Sequence, residues 1–292
     1  MSDTGDDFRP AWSEAFAPDV LPTLHRIPSL DELTADWAWG GSGGAGVKVA
    51  VIDSGIDADH PAIGTVQGYV AVSENAAGEL VFTEAQHADL YGHGTACAGI
   101  IRALAPACEL YSVRVLDENL TGRAKIFAAG LRWAIEAGMD VCNLSLSTGR
   151  AEFFGLFHEL ADLAYFRHIP LVCAVNNVPA PSYPSLYAAV LSVAAHEGRD
   201  PESVSYNPAP PVEFGAPGID VPVAWKESAT ITATGNSFAA PHVSGLVARL
   251  LGKHPGLTVF QVKTVLRALA ANLAPASEEH PAATLPSRAG RG

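Results

Sequence analysis

The stretch Val47-Lys48-Val49-Ala50-Val51-Ile52-Asp53-Ser54-Gly55-Ile56-Asp57 decides the class of fold. Apart from Lys48, its first six residues are small or β-branched and apolar. This is the short, nearly continuous apolar run of a strand covered on both faces. Such strands lie in parallel sheets, whose crossovers are usually helices. Further strands are expected at residues 110–115, 140–146, 170–175 and 191–195. Helices are expected over 125–137, 151–167 and 258–273, with two more opening at His93 and near Ser237. This alternation defines an α/β fold with a mainly parallel central sheet. A short capped helix over 29–33, a Gly-rich turn over 40–46 and a hairpin around 75–78 complete the pattern.

The chain has 292 residues, 48% hydrophobic and 17% charged, enough for one large domain with a sizeable core. Residues 27–274 are assigned to that domain, 1–26 to a polar extension and 275–292 to a Pro/Ala-rich flexible tail. The net charge of −13 disfavours nucleic acid and anionic membranes as partners. No apolar run approaches the ~20 residues that span a bilayer. The acidic N-terminus lacks the hydrophobic segment of a secretory signal. Cys97, Cys108, Cys142 and Cys173 fall in no metal-binding spacing, and Cys142 and Cys173 read as buried free thiols. A reduced, cytoplasmic setting is the expectation.

Parallel sheets present their chemistry at the carboxyl ends of strands. Asp53 ends the first strand, and Asn176-Asn177 end the strand over 170–175. His93 stands between Gly92 and Gly94 and opens a helix of small residues. His87 and Asp89 beside it match no metal template. Gly235-Asn236-Ser237-Phe238-Ala239-Ala240-Pro241 turns a loop into a helix, with Gly235 read as allowing a tight turn. Pro241 is read as belonging to the first turn, where its missing N–H would have no partner anyway. A serine there is ordinarily an N-cap. It also faces unpaired N–H groups and the positive end of the helix dipole, where an oxyanion would be stabilised. Asp53, His93 and Ser237 then supply an orienting acid, a base and a nucleophile, and Asn177 a second oxyanion donor.

Three of these segments, Val51-Ile52-Asp53-Ser54-Gly55-Ile56-Asp57, His93-Gly94-Thr95 and Gly235-Asn236-Ser237-Phe238-Ala239-Ala240-Pro241-His242-Val243, resemble the catalytic boxes of the subtilisin-like (S8) serine proteases. The resemblance spans about residues 27–273 and implies a three-layer α/β/α fold and a compact, intracellular-type member. It implies peptide-bond hydrolysis through an acyl-enzyme, with Asp53, His93 and Ser237 as the triad and Asn177 as the oxyanion donor. Asn176 is the alternative donor. Ser145, Leu146 and Ser147 match the strand that pairs with substrate backbone and walls the S1 pocket; Ala174, Val175 and Asn176 match the opposite wall. Cys97 matches a thiol that some members carry beside the histidine, a packed neighbour rather than a nucleophile.

The sequence departs from the family pattern at several positions. Asn236 and Phe238 stand where threonine and methionine are usual, and Ser147 and Asn176 where glycines are, which predicts a shallower, more polar S1 pocket. Ala62 replaces the usual calcium-binding aspartate, and residues 102–106 run on without the calcium loop, so no metal or cofactor is expected. Residues 1–26 are too few for a folding pro-domain; Leu21-Pro22 could belong to a segment that blocks the cleft. The expected function is a serine endopeptidase acting on a peptide or protein substrate, as a dedicated precursor-maturation (leader-cleaving) enzyme. The alternative is a general intracellular degradative protease. A peptide ligase or macrocyclase needs a shielding insertion, for which the 39 residues between Asp53 and His93 leave little room. A catalytically silent binding protein is disfavoured because all four catalytic positions are filled. Oligomeric state is not legible.

Overall fold

Nine strands make one sheet among the residues described by the computed structural model, 13–20, 27–209 and 211–273. The chain divides into two compact units, residues 1–32 and 33–292. In the first, 3-10 turns cover Ser13–Phe16 and Leu30–Glu32, and Ser29 donates its N–H and hydroxyl to the Glu32 carboxylate at 3.1 and 2.7 Å. The second unit holds the sheet.

Its strands are β1 (Lys48–Asp53), β2 (Val66–Glu74), β3 (Leu80–Thr83), β4 (Glu109–Arg114), β5 (Val141–Leu144), β6 (Leu171–Ala174), β7 (Leu191–His196), β8 (Ser205–Tyr206) and β9 (Phe214–Pro217). They lie in the order β3-β2-β4-β1-β5-β6-β7-β9-β8. All pairings from β2 to β9 are parallel, and antiparallel β3 and β8 form the edges. The helices are α1 (Ala35–Trp39), α2 (His93–Leu104), α3 (Ala124–Glu136), α4 (Phe154–Phe166), α5 (Asn236–Lys253) and α6 (Val259–Ala268). On one face, Phe127 and Leu131 of α3 and Phe157 and Leu160 of α4 pack on Ile52, Val113, Leu144 and Leu171. Fully burying a side chain of this size contributes about 1.5–3 kcal/mol. On the other face α2 and α5 pack together, and α5 lies against β5, β6, β7 and β9. This is the expected three-layer α/β/α arrangement.

The topology brings the site together. β1 lies between β4 and β5, so the order of the chain reverses beside it, the location where open parallel sheets form a crevice. Because β1, β5 and β6 run parallel, Asp53, Ser145 and the segment after Ala174 all emerge at one end of the sheet. The N-termini of α2 and α5 deliver His93 and Ser237 to that end. Gly94 allows the close approach: a Cβ there would lie 2.0 Å from the carbonyl oxygen of Gly55.

Several boundaries differ from the sequence expectation. The strand expected over 140–146 stops at Leu144, because Ser145–147 leave the ladder. The segment 151–167 is a 3-10 turn, Ala151–Phe153, followed by α4. The last helix starts at a capping box between Thr258 and Gln261 and ends at Ala268, not 273. The hairpin ribbon β10 (Val221–Trp225) and β11 (Ala229–Ala233) carries Pro222 and a largely exposed second strand, so it lacks a buried-strand pattern. The tail over 275–292 lies outside the described residues.

Candidate active site

Asp53 is the last residue of β1 and is fully buried. Both its carboxylate oxygens lie 2.9 Å from Nδ1 of His93, and Oδ1 also accepts the Ser54 N–H at 2.7 Å. Nδ1 therefore carries a proton toward Asp53, and Nε2 is the nitrogen left to act as a base. Burial, the largest influence on His93, favours the neutral ring. The Asp53 charge opposes it, with the nearby Cys97 adding to the effect, and the pKa ends well above the ordinary histidine value.

Asp89 holds His93 in place, a role the sequence did not reveal. It is buried, and its Oδ1 accepts from Ser54 Oγ (2.8 Å), Tyr91 N (3.0 Å) and Gly92 N (2.8 Å). Its Oδ2 accepts from Thr95 N (2.8 Å) and Thr95 Oγ1 (2.6 Å). One carboxylate thus satisfies orphan N–H groups at the start of α2, whose own cap position, Gly92, has no side chain to do so. Ser54 Oγ in turn accepts from Gly94 N at 3.1 Å, tying the end of β1 to the histidine turn. His87, the other polar neighbour, instead faces Ser112 Oγ at 2.9 Å.

Ser237 is the second residue of α5, so its N–H has no intrahelical acceptor. Gly235, before the helix, has an extended φ of 162°, which any residue can adopt. A Cβ there would sit 3.3 Å from Ser237 Oγ, a tight contact, and 3.6 Å from Asn177 Oδ1, an ordinary one. The serine hydroxyl and the Asn177 amide therefore flank one small space. Pro241 is the sixth helical residue, not part of the first turn as expected. Its missing N–H would have bonded the Ser237 carbonyl. Ser145 Oγ donates to that carbonyl at 2.8 Å, and Cys97 Sγ lies 3.6 Å away. The Ser145 hydroxyl thus secures the backbone of Ser237, which its sequence reading as a pocket wall did not anticipate.

Asn177 is exposed, and its Oδ1 accepts the Asn236 N–H at 2.9 Å. A backbone N–H can only donate, so this contact fixes the amide with Nδ2 free to donate. Asn176 instead turns its side-chain oxygen back onto Val178 N–H at 3.2 Å. Asn236 joins three segments: its Oδ1 accepts from Ala195 N at 2.8 Å, and its Nδ2 donates to Val175 O and Asn176 O at 3.2 and 3.0 Å. A threonine hydroxyl has one proton and could not make both donations. Phe238 lies with its ring 5.4 Å from that of His93. Leu146 and Ser147 continue from β5, half-buried, and Ala174 is buried at the end of β6 with Val175 half-buried beyond it.

Asp53, His93 and Cys97 bring three ligand-type atoms within 4.8 Å of one another, the one such group among the described residues. They already contact each other, and Cys97 is fully buried with its thiol pushed up chiefly by burial. A protonated, enclosed thiol does not serve as a nucleophile. Cys108, Cys142 and Cys173 are likewise free and buried.

A buried acid–imidazole pair, a serine at a helix N-terminus and an amide donor at one end of a parallel sheet are the parts of a serine hydrolase. The model of the subtilase family matches residues 44–289, and the chain belongs to that family. It is a subtilisin-like serine endopeptidase. It is 32% identical to Subtilisin DY of Bacillus licheniformis over 79% of this chain and 85% of that one. Identity to Subtilisin Savinase of Lederbergia lenta is 33%, with the same two coverages. Against the Minor extracellular protease Epr of Bacillus subtilis it is 31% identical over 82% of this chain but spans only 37% of that protein's length. A crystal structure of a cold-adapted subtilisin-like serine proteinase superposes with a TM-score of 0.63 at 25% identity, covering 76% of this chain and 81% of that one.

Proposed function

We propose that Ser237 is the nucleophile, His93 the base, Asp53 its orienting acid, and Asn177 Nδ2 with the Ser237 N–H the oxyanion donors. The observation that carries this is the doubly held Nδ1 of His93, which leaves Nε2 as the free basic nitrogen. In the proposed cycle, Nε2 takes the Ser237 proton as Oγ attacks the substrate carbonyl. It returns that proton to the leaving amine, and water then releases the acyl group by the reverse steps. Fluorophosphonate labelling of the wild-type protein tests the assignment; absence of label would overturn it.

The orientation of Asn177 predicts that Asn177→Ala lowers kcat by about 10²–10³ with little change in KM, since the developing oxyanion is present only in the transition state. Asn176→Ala should spare turnover by comparison. Steady-state kinetics on one peptide ester checks both; the larger loss at Asn176 would exchange the roles.

We further propose a dedicated peptide-maturation role in a reducing, cytoplasmic setting. Four buried free thiols and polar Ser147 and Asn176 in the proposed S1 walls support it. Digestion of casein at many unrelated sites would favour general degradation instead. The idea that residues 1–26 block the cleft rests on Leu21 and Pro22, which lie outside the described residues.

Calcium has no part in this proposal, because the residues at the site implied by the family do not fit it. Ala62 offers no carboxylate, and its N–H donates to His60 Nδ1. Nearby, the Arg102 guanidinium donates to the carbonyls of Ile63, Thr65, Pro106 and Cys108 at 2.7–2.9 Å. This fixed cation gathers four backbone oxygens between the β2 approach and the end of α2. Arg102→Met should cost about 1–3 kcal/mol, chiefly by leaving the carbonyls of buried Ile63 and Cys108 without their donor, a fall in Tm of roughly 2–12 °C in a domain of this size. Calorimetry with and without EDTA checks the reading. A wild-type Tm that falls on chelation and returns with calcium would overturn it.

A further inference from the structure

The end of the sheet that carries His93 and Ser145 opens into a cavity of about 480 Å³. Leu116 and Phe127 give it an apolar lining, and Arg123 and Arg150 are the permanently charged groups on its wall. The sign is unexpected in a chain of net charge −13. Both arginine side chains are largely solvent-exposed, at 71% and 69%, so their donors are accessible to an incoming group.

Their present partners leave donors on both unused. Arg123 Nη1 meets Glu74 at 3.0 Å, but Glu74 also faces Lys125 Nζ at 3.6 Å, so two cations share one carboxylate. Arg150 Nη2 pairs with Glu152 at 2.5 Å and its guanidinium lies 5.5 Å from the Phe153 ring centroid. The Arg150–Glu152 pair is exposed on both sides and contributes little, the half-buried Glu74 carboxylate is divided between two cations, and a guanidinium has five donors, so either arginine can engage a further carboxylate. Asp117, on the loop leading to Arg123, is turned inward onto Asn119 N and both Thr121 donors and does not line the cavity.

We propose that this protease selects peptides bearing an acidic side chain next to an apolar one in the stretch that lies along this cavity, with Arg123 and Arg150 as the selecting groups. The proposal rests on the serine-protease reading of the site. The substrate is thus a locally acidic, amphipathic peptide segment, and selection acts through attraction at the cavity wall rather than through the reacting atoms.

The test is a set of synthetic peptides of one apolar framework in which each position flanking the scissile bond is in turn glutamate, alanine or lysine. At low ionic strength, at the position facing the cavity, kcat/KM should favour glutamate over lysine by about tenfold, the scale of two exposed charge contacts. The ratio should shrink toward unity in roughly 0.5 M salt, where the screening length falls to a few ångströms. The double variant Arg123→Glu/Arg150→Glu should invert it. Equal rates for glutamate and lysine at every position, or a preference unmoved by salt, would overturn the proposal even if the variant did not fold. Fluorophosphonate labelling in the same samples separates the two readings. Label with no charge preference defeats only this proposal, whereas no label and no cleavage defeats the protease assignment and this proposal with it.

Discussion

Ser237→Ala should lower kcat by about 10⁶-fold, the scale known for the matching knockout in subtilisin itself. The reason is geometric. Ser237 Oγ lies beside the Asn177 amide at the start of α5, and its backbone is secured by Ser145 Oγ at 2.8 Å. Its neighbours among the described residues are otherwise engaged: Cys97 is fully buried with its thiol raised by burial, and the Ser145 hydroxyl is committed to the Ser237 carbonyl. Ser237→Ala/His93→Ala should be no worse than either single change, because base and nucleophile act as one unit and removing one idles the other. Residual turnover above water would come from the helix terminus and the amide donor alone. Steady-state hydrolysis of a chromogenic peptide by the wild type and the three variants measures this. Losses that multiplied in the double variant would mean that the two side chains work independently and would break the proposed mechanism.

Asp53→Asn should lower kcat by about 10⁴-fold, as the same change does in a serine protease of unrelated fold. An asparagine amide facing Nδ1 would favour the tautomer with its proton on Nε2, removing the lone pair that Ser237 needs. The pH profile provides an independent check. Asp53 holds the His93 pKa well above its ordinary value, against the effect of burial. Below that pKa the ring is protonated and cannot accept the serine proton, so kcat/KM falls as the pH drops through it. The acid limb of the wild type should therefore lie above the ordinary histidine range. In Asp53→Asn the main influence opposing burial is gone and the limb should move to lower pH. A limb that stays in place would mean that Asp53 is not the charge acting on His93.

The four residues of the proposed mechanism, Asp53, His93, Ser237 and Asn177, could be singled out because each stands at an element boundary marked by local sequence: an apolar run that stops, glycines around a histidine, an asparagine pair after a strand. Their partners were not. Ser145 and Ser237 are 92 positions apart, and Asp89 reaches Ser54 across 35. No local pattern encodes such pairings, which depend on which strand lies beside which. Pro241 illustrates the limit. Its residue type suggested a first turn, whereas the helix begins at Asn236 and the lost backbone bond is replaced by a hydroxyl from β5's extension.

The sequence by itself determined the parallel α/β architecture, because short apolar runs alternating with amphipathic segments have few other ways to bury both faces of a sheet. It also put forward the order and identity of the proposed acid, base, nucleophile and amide. Tertiary structure alone decided which asparagine is tied to the Ser237 turn: Asn177 Oδ1 accepts the Asn236 N–H, whereas Asn176 Oδ1 accepts that of Val178. It likewise decided that Arg102 spends its charge on four carbonyls and that Arg123 and Arg150, from separate segments, share the wall of one cavity. Composition fixes how many charges a chain has, but only packing sets which of them meet across a desolvated space and which remain open to a substrate.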